Sequence, residues 1–179
     1  MTVGAVVEKV ASFNANHVVI TGGEPMIAAG IKTLTAEVRA IGKHITIETA
    51  GTVDEQVDCD LISISPKLSN STPAADRAGE WRQRHENRRL NVEAVRGLIS
   101  RHEYQLKFVV CQPEDLTEIQ EYCAQLGSIE TSRVLLMPEG TELSVLEQRN
   151  GWVRDSCEEF GFTFCPRMHI VWFGNRRGT

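Results

Sequence analysis

Apolar residues along this chain alternate between two periods. Val3, Val6, Val7, Val10 and Phe13 fall at helical spacing behind Thr2, a good N-cap, which predicts a helix over 2–13. Val18-Val19-Ile20 is a short β-branched run, the signature of a buried strand over 17–21. A second helix is expected from about Ile27 to Ile41, closed by Gly42. Strands are expected at His44–Glu48 and from Leu61 to Ile64. After a polar break the rhythm resumes with a helix over Asn91–Ser100, a strand over Tyr104–Cys111 and a helix over Pro113–Leu126 ended by Gly127. A strand over Arg133–Met137 and a helix over Ser144–Phe160, closed by Gly161, complete the series. Phe162, Phe164, Met168, Ile170 and Trp172 mark one face of an extended tail. Strands alternating with helices imply right-handed βαβ units and a parallel sheet, so the class is α/β, with five repeats plus the tail strand.

Residues able to do chemistry gather just past the strands. The first strand runs into Thr21-Gly22-Gly23-Glu24-Pro25. The glycines permit positive φ and close approach of a ligand to bare backbone, and Pro25 suits the first turn of a helix. Glu48 ends the second strand before Thr49-Ala50-Gly51-Thr52, either as a solvated strand end or as an acceptor for ribose hydroxyls. Ser65-Pro66-Lys67 follows the third, where a hydroxyl and an ammonium suit a carboxylate. Met137-Pro138-Glu139-Gly140 follows the fifth. The carboxyl ends of parallel strands are where such sheets bind ligands. The interruption at 69–90 carries Trp81 with Arg82, Arg84, Arg88 and Arg89. Charge plus stacking there is a nucleic-acid pattern, but a solvated helix face is preferred for most of these residues, with one arginine available to an anionic substrate.

Composition narrows the classes. The 179 residues suit one domain, 41% apolar and 24% charged, and the net charge of −5 argues against non-specific nucleic-acid binding. Apolar runs are too short to span a membrane, and no basic stretch with an apolar core opens the chain, so a cytoplasmic protein is expected. Cys59, Cys111, Cys123, Cys157 and Cys165 are odd in number and scattered, which suits reduced thiols and lacks the close spacing of zinc or iron–sulfur ligands.

Thr-Gly-Gly-Glu-Pro as a set resembles the turn that holds the amino group of S-adenosylmethionine (SAM) in radical SAM enzymes. Together with Glu-Thr-Ala-Gly-Thr at 48–52, Ser-Pro-Lys at 65–67, Leu-Met-Pro-Glu-Gly-Thr at 136–141, Pro-Arg-Met-His-Ile and the tail Gly-Asn-Arg-Arg-Gly-Thr, it resembles the 7-carboxy-7-deazaguanine synthase family along the whole chain. The resemblance implies a parallel partial (β/α) barrel of radical SAM type, formed by residues 1–179 as one core domain. It implies SAM contacts at Gly22, Gly23, Glu24, Glu48, Ser65, Pro66, Lys67, Met137, Pro138, Glu139 and Gly140, and contacts to a pterin substrate at Thr21 and Thr179. It implies a [4Fe-4S] cluster, Mg2+, an electron donor such as a flavodoxin, and a homodimer. The implied reaction converts 6-carboxy-5,6,7,8-tetrahydropterin to 7-carboxy-7-deazaguanine: a 5′-deoxyadenosyl radical abstracts hydrogen and the ring contracts with loss of ammonia.

The chain departs from that pattern at its start. It opens at the helix that follows the family's cluster loop, so the first strand, the loop cysteines and the magnesium-binding threonine are expected to be missing. None of the five cysteines matches a cluster position, which predicts no catalytic residue, no metal ligand and no activity for this polypeptide alone. An unpaired apolar strand edge and poor solubility are expected with it. A cluster-less nucleoside-binding module and another radical SAM protein, such as a glycyl-radical activating enzyme, stand as alternatives.

Overall fold

A computed structural model describes residues 1–71 and 91–176. Thr179 and the arginine-rich stretch Trp81–Leu90 lie outside the described residues. Helix α1 spans Val3–Ser12, with the Thr2 hydroxyl accepting from the Ala5 amide as the N-cap. Strand β1 (His17–Ile20) follows, then a 3-10 turn at Pro25–Ile27, α2 (Ile31–Ala40), β2 (His44–Thr49) and β3 (Leu61–Ile64). After a 3-10 turn at Ser69–Ser71 come α3 (Val92–Arg101), β4 (Tyr104–Val110), α4 (Asp115–Leu126), β5 (Val134–Pro138), α5 (Leu143–Phe160), β6 (Thr163–Phe164) and α6 (Met168–Phe173).

The six strands form one sheet in chain order, β1-β2-β3-β4-β5-β6. The β1–β2, β2–β3, β4–β5 and β5–β6 pairs are parallel. The sheet does not close, and β1 is an edge among the described residues. This is the parallel α/β class the alternation implied, and the open sheet agrees with the partial barrel the resemblance implied. Contacts group into two compact units: Met1–Ser65 with Asn91–Gln105, and the remaining described residues.

In the first unit Ile45, Ile47, Ile62, Ile64, Val95 and Leu98 are wholly buried between strands and helices. Gly51, at φ +72°, is wedged there: a Cβ would stand 2.7 Å from both Ile64 Cγ2 and Val95 Cγ2. In the second unit Leu106, Phe108, Val110, Val134 and Leu136 form the buried face of β4 and β5, with Ile119 and Tyr122 of α4 and Val153 of α5.

Three expectations need correction. Strand β1 is not buried: His17 and Val19 are exposed, because β1 is an edge of the sheet among the described residues. The helix foreseen from Ile27 is a 3-10 turn over Pro25–Ile27 and, after a break, α2 from Ile31. The Glu24 carboxylate caps that turn at the Met26 amide, and Ala28 leaves helical geometry at ψ 123°. The tail is extended only at Thr163–Phe164, and Met168–Phe173 is helical. The alternation there misleads because Ile170 is buried while Trp172 is 67% exposed. Pro166, just before the turn, separates the two geometries.

Candidate functional site

In the first unit, register builds the rim. Ile20 pairs with Ile47, so Thr21 falls level with Glu48, and the Thr21 hydroxyl donates to Glu48 Oε2 at 3.2 Å. Gly22 and Gly23 take φ of 99° and 55°, and nothing lies within 4 Å of where their Cβ atoms would be. Both are exposed, so the turn presents bare backbone. Gly22 also lines a cleft of about 320 Å³, together with Val3 and Val6 of α1, Ile20, Thr21 and Leu34 of α2, among others. That volume is within the range of small-molecule pockets.

Glu24 points into the protein. Its carboxylate accepts from the Met26 amide (3.1 Å), the Thr49 hydroxyl (2.7 Å), the Ala50 amide (2.9 Å) and, more weakly, the Thr52 hydroxyl (3.4 Å). It therefore fastens the Gly-Gly turn to the end of β2. Thr49, Ala50 and Thr52 are the partners sequence reasoning missed. The hydroxyls of Glu-Thr-Ala-Gly-Thr were the available signal. Ser65 extends this rim, its amide donating to Thr49 O at 2.7 Å.

In the second unit Pro66 and Leu68 are buried on either side of exposed Lys67. Met137 and Pro138 end β5, and the Glu139 amide donates to Val110 O at 2.8 Å. Arg149 of α5 donates to both the Glu139 carbonyl and the Glu139 carboxylate, and Arg167 donates to Gly140 O at 2.7 Å. Arg149 was not singled out from the sequence, and Arg167 stood there only within the Pro-Arg-Met-His-Ile motif. Both carbonyls of the Glu-Gly loop are thus held by guanidinium groups, which are rigid and always charged.

Among the described residues no three His, Cys, Asp or Glu side chains are grouped to hold a metal ion. Burial pushes the thiols of Cys59, Cys123 and Cys157 up to about 11, and Cys111 is raised by burial, then by Asp115 and Glu139. Cluster ligation needs converging thiolates, so the described residues do not fit a [4Fe-4S] cluster. Nor do they supply a grouped set of carboxylates for Mg2+.

No protein-family model matches the chain. A 7-carboxy-7-deazaguanine synthase of Rhodopirellula baltica is 44% identical over 179 residues, covering 99% of this chain and 69% of the relative. The enzyme of the same name in Halobacterium salinarum is 38% identical, covering 96% of this chain and 70% of its own length. The chain belongs to the 7-carboxy-7-deazaguanine synthase family. Among solved structures, Escherichia coli QueE matches with a TM-score of 0.61 at 23% identity, over 91% of this chain and 60% of that one. Streptococcus suis SuiB bound to S-adenosylmethionine matches with a TM-score of 0.53 at 13% identity, over 87% of this chain and 39% of that one. These two likenesses show the fold. Within a 7-carboxy-7-deazaguanine synthase fold, every rim residue foreseen from the sequence and described here lies at or just beyond the carboxyl end of a strand, within its own unit.

Proposed function

We propose that this chain carries SAM-binding elements of a 7-carboxy-7-deazaguanine synthase. The supporting observation is the open Gly22-Gly23 turn, with two positive-φ glycines, the first of them lining a cleft, and Glu48 hydrogen-bonded to Thr21. In this reading the bare backbone at Gly22 and Gly23 takes the methionine amino group, while Glu24 shapes the turn. Glu48 accepts from the ribose hydroxyls, and Thr21 orients Glu48 and meets the pterin. Ser65, Pro66 and Lys67 take the methionine carboxylate, and Met137, Pro138, Glu139 and Gly140 lie along the adenosyl group. The SAM-bound SuiB of the same fold and the family's name support the assignment. Bound SAM would supply the radical chemistry of the family's carbon–nitrogen lyase reaction, in which 6-carboxy-5,6,7,8-tetrahydropterin loses ammonia to give 7-carboxy-7-deazaguanine. A flavodoxin-type electron donor, a homodimer and a cytoplasmic location belong to the same reading.

The chain's own residues bind and orient. Among the described residues none is arranged to hold a cluster. The dispersed thiols also favour a second reading, a nucleoside-binding module that works without a cluster. A nitrogen-15 NMR titration with SAM separates the two. Shifts of the Gly22 and Gly23 amides saturating in the millimolar range fit the synthase reading, because the described residues hold no cluster iron to chelate methionine. Micromolar saturation, three decades or about 4 kcal/mol tighter, fits the module. Gly22 and Gly23 amides that never respond refute both.

A further inference from the structure

Lys67 stands on a short segment that does not hold itself. Behind it, among the described residues, the 3-10 turn Ser69–Ser71 has little of its own: the Ser71 amide and hydroxyl both donate to Leu68 O, at 3.0 and 2.6 Å. A single turn of this kind is marginal alone. Two acids in the first turn of α4 supply what it lacks. Both carboxylate oxygens of Glu118 accept from the Ser69 amide, at 3.2 and 3.0 Å, and Oε2 also takes the Ser69 hydroxyl at 2.7 Å. The Asn70 side-chain amide donates to Asp115 Oδ2 at 2.8 Å and to Val109 O at 3.2 Å. Asp115 is only 5% exposed, and its Oδ2 also accepts from the Cys111 amide at 2.7 Å and the Gln112 amide at 3.3 Å. One oxygen thus fastens the β4–α4 connection and the turn behind Lys67 together. Position in the first helical turn favours both charges, since the helix dipole is positive there.

We propose that Asp115 and Glu118, acting through Asn70 and Ser69, are positioning residues for Lys67, fixing where its ammonium meets the carboxylate of the methionine moiety. This rests on the reading of Lys67 as a SAM contact. Lysine is a point charge on a flexible four-carbon stem, so its backbone origin decides how much of its sweep reaches the ligand. Pro66 and Leu68 fix that origin from within, and the α4 acids fix it from behind. A charge-assisted hydrogen bond has a narrow optimum in length and is lost with small displacements.

The test compares SAM with 5′-methylthioadenosine, which keeps the nucleoside and lacks the amino-acid carboxylate. NMR titrations measure both affinities in wild type, Asn70→Ala, Glu118→Ala and Lys67→Met. Wild type is expected to prefer SAM. Asn70→Ala and Glu118→Ala are expected to reduce that preference about fivefold, as partial loss of one charge-assisted bond would, with 5′-methylthioadenosine affinity unchanged. Lys67→Met is expected to reduce the preference further, to what the Gly22-Gly23 turn and Ser65 still contribute, and adding Asn70→Ala to it changes nothing further. A purely structural role would weaken both ligands together, and that outcome overturns the proposal. So does an intact preference in Asn70→Ala and Glu118→Ala, or an additive double variant. Wild type that binds SAM no better than 5′-methylthioadenosine defeats the reading of Lys67 itself, and the positioning roles fall with it.

Discussion

Removing the Glu24 carboxylate should unfasten the Gly-Gly turn from β2. Three of its four hydrogen bonds are of ordinary length and the fourth is long. Bonds to a charged acceptor are worth about 1.5–3 kcal/mol each when buried. Glu24 is half-buried, so water recovers much of that at the amides of Met26 and Ala50. Thr49 is different. It is 4% exposed, and its oxygen already accepts from the Gly51 amide at 3.0 Å, so its O–H has nowhere else to go once Glu24 is gone. An orphaned buried donor costs roughly 1–3 kcal/mol. Glu24→Ala is therefore expected to lose about 2–3 kcal/mol. Glu24→Gln keeps the length but turns an NH2 toward donors and should lose about half as much. Urea unfolding measures the shift in midpoint at constant slope, and hydrogen exchange at the Ala50 amide reports whether the loss is local. An unchanged midpoint with unchanged Ala50 protection in Glu24→Ala would refute the staple and return Glu24 to the ligand.

Gly51→Ala should destabilise by roughly 2–4 kcal/mol, from overpacking added to backbone strain, whereas Gly97→Ala should be near neutral. At Gly97 the obstacle is the Asp54 carboxylate, the end of an exposed side chain paired with Arg101, and alanine improves the helix; equal losses in thermal melts would refute the distinction. Val19, 56% exposed on edge strand β1, should promote association, so Val19→Lys is expected to lower light scattering at equal concentration, and unchanged scattering rejects the edge as its cause. The thiols of Cys59, Cys123 and Cys157 are raised from 9.0 to about 11 by burial. The unfolded chain therefore releases those protons first, so stability is full below pH 9 and falls as pH climbs toward 11; urea midpoints that stay level across that window contradict the assignment. Arg149→Ala should leave the fold within about 1 kcal/mol, the norm for half-exposed ion pairs, yet raise exchange at the Glu139 and Gly140 amides; unaltered exchange there would show that the guanidinium does not hold the loop.

Much of this arrangement was legible locally, and the limits of local reading are specific. Thr2 caps α1, Asn91 caps α3, Gly42 takes φ +75° and Gly161 φ +68°, each as its residue type demands. Pro25 was read as opening a long helix, but proline pre-sets φ equally for a 3-10 turn, and Gly30 ends the interruption where a Cβ would come within 3.0 Å of Val3 Cγ2. That contact is long-range and leaves no trace in the local pattern. Glu48 was legible because a carboxylate at a strand end is conspicuous. Asp115 and Glu118 were not, since acids in a first helical turn are ordinary and their partners in the Ser69–Ser71 turn sit more than forty residues away.

The strand ends of each unit therefore hold two kinds of polar residue that a motif does not tell apart. The glycines at 22 and 23 stay open: their neighbours leave space, and their φ values exclude most other residues. Glu24 and Asp115 are turned inward, each taking several protein donors, and Glu139 is gripped by Arg149. A parallel sheet delivers a new loop at every strand end, and each loop must be held before it can bind anything. Acids suit that task because one carboxylate accepts from amides of two different loops at once. A charged residue inside a binding motif is thus as plausibly the fastening of the loop as its contact with the ligand, and the hydrogen-bond partners decide between them.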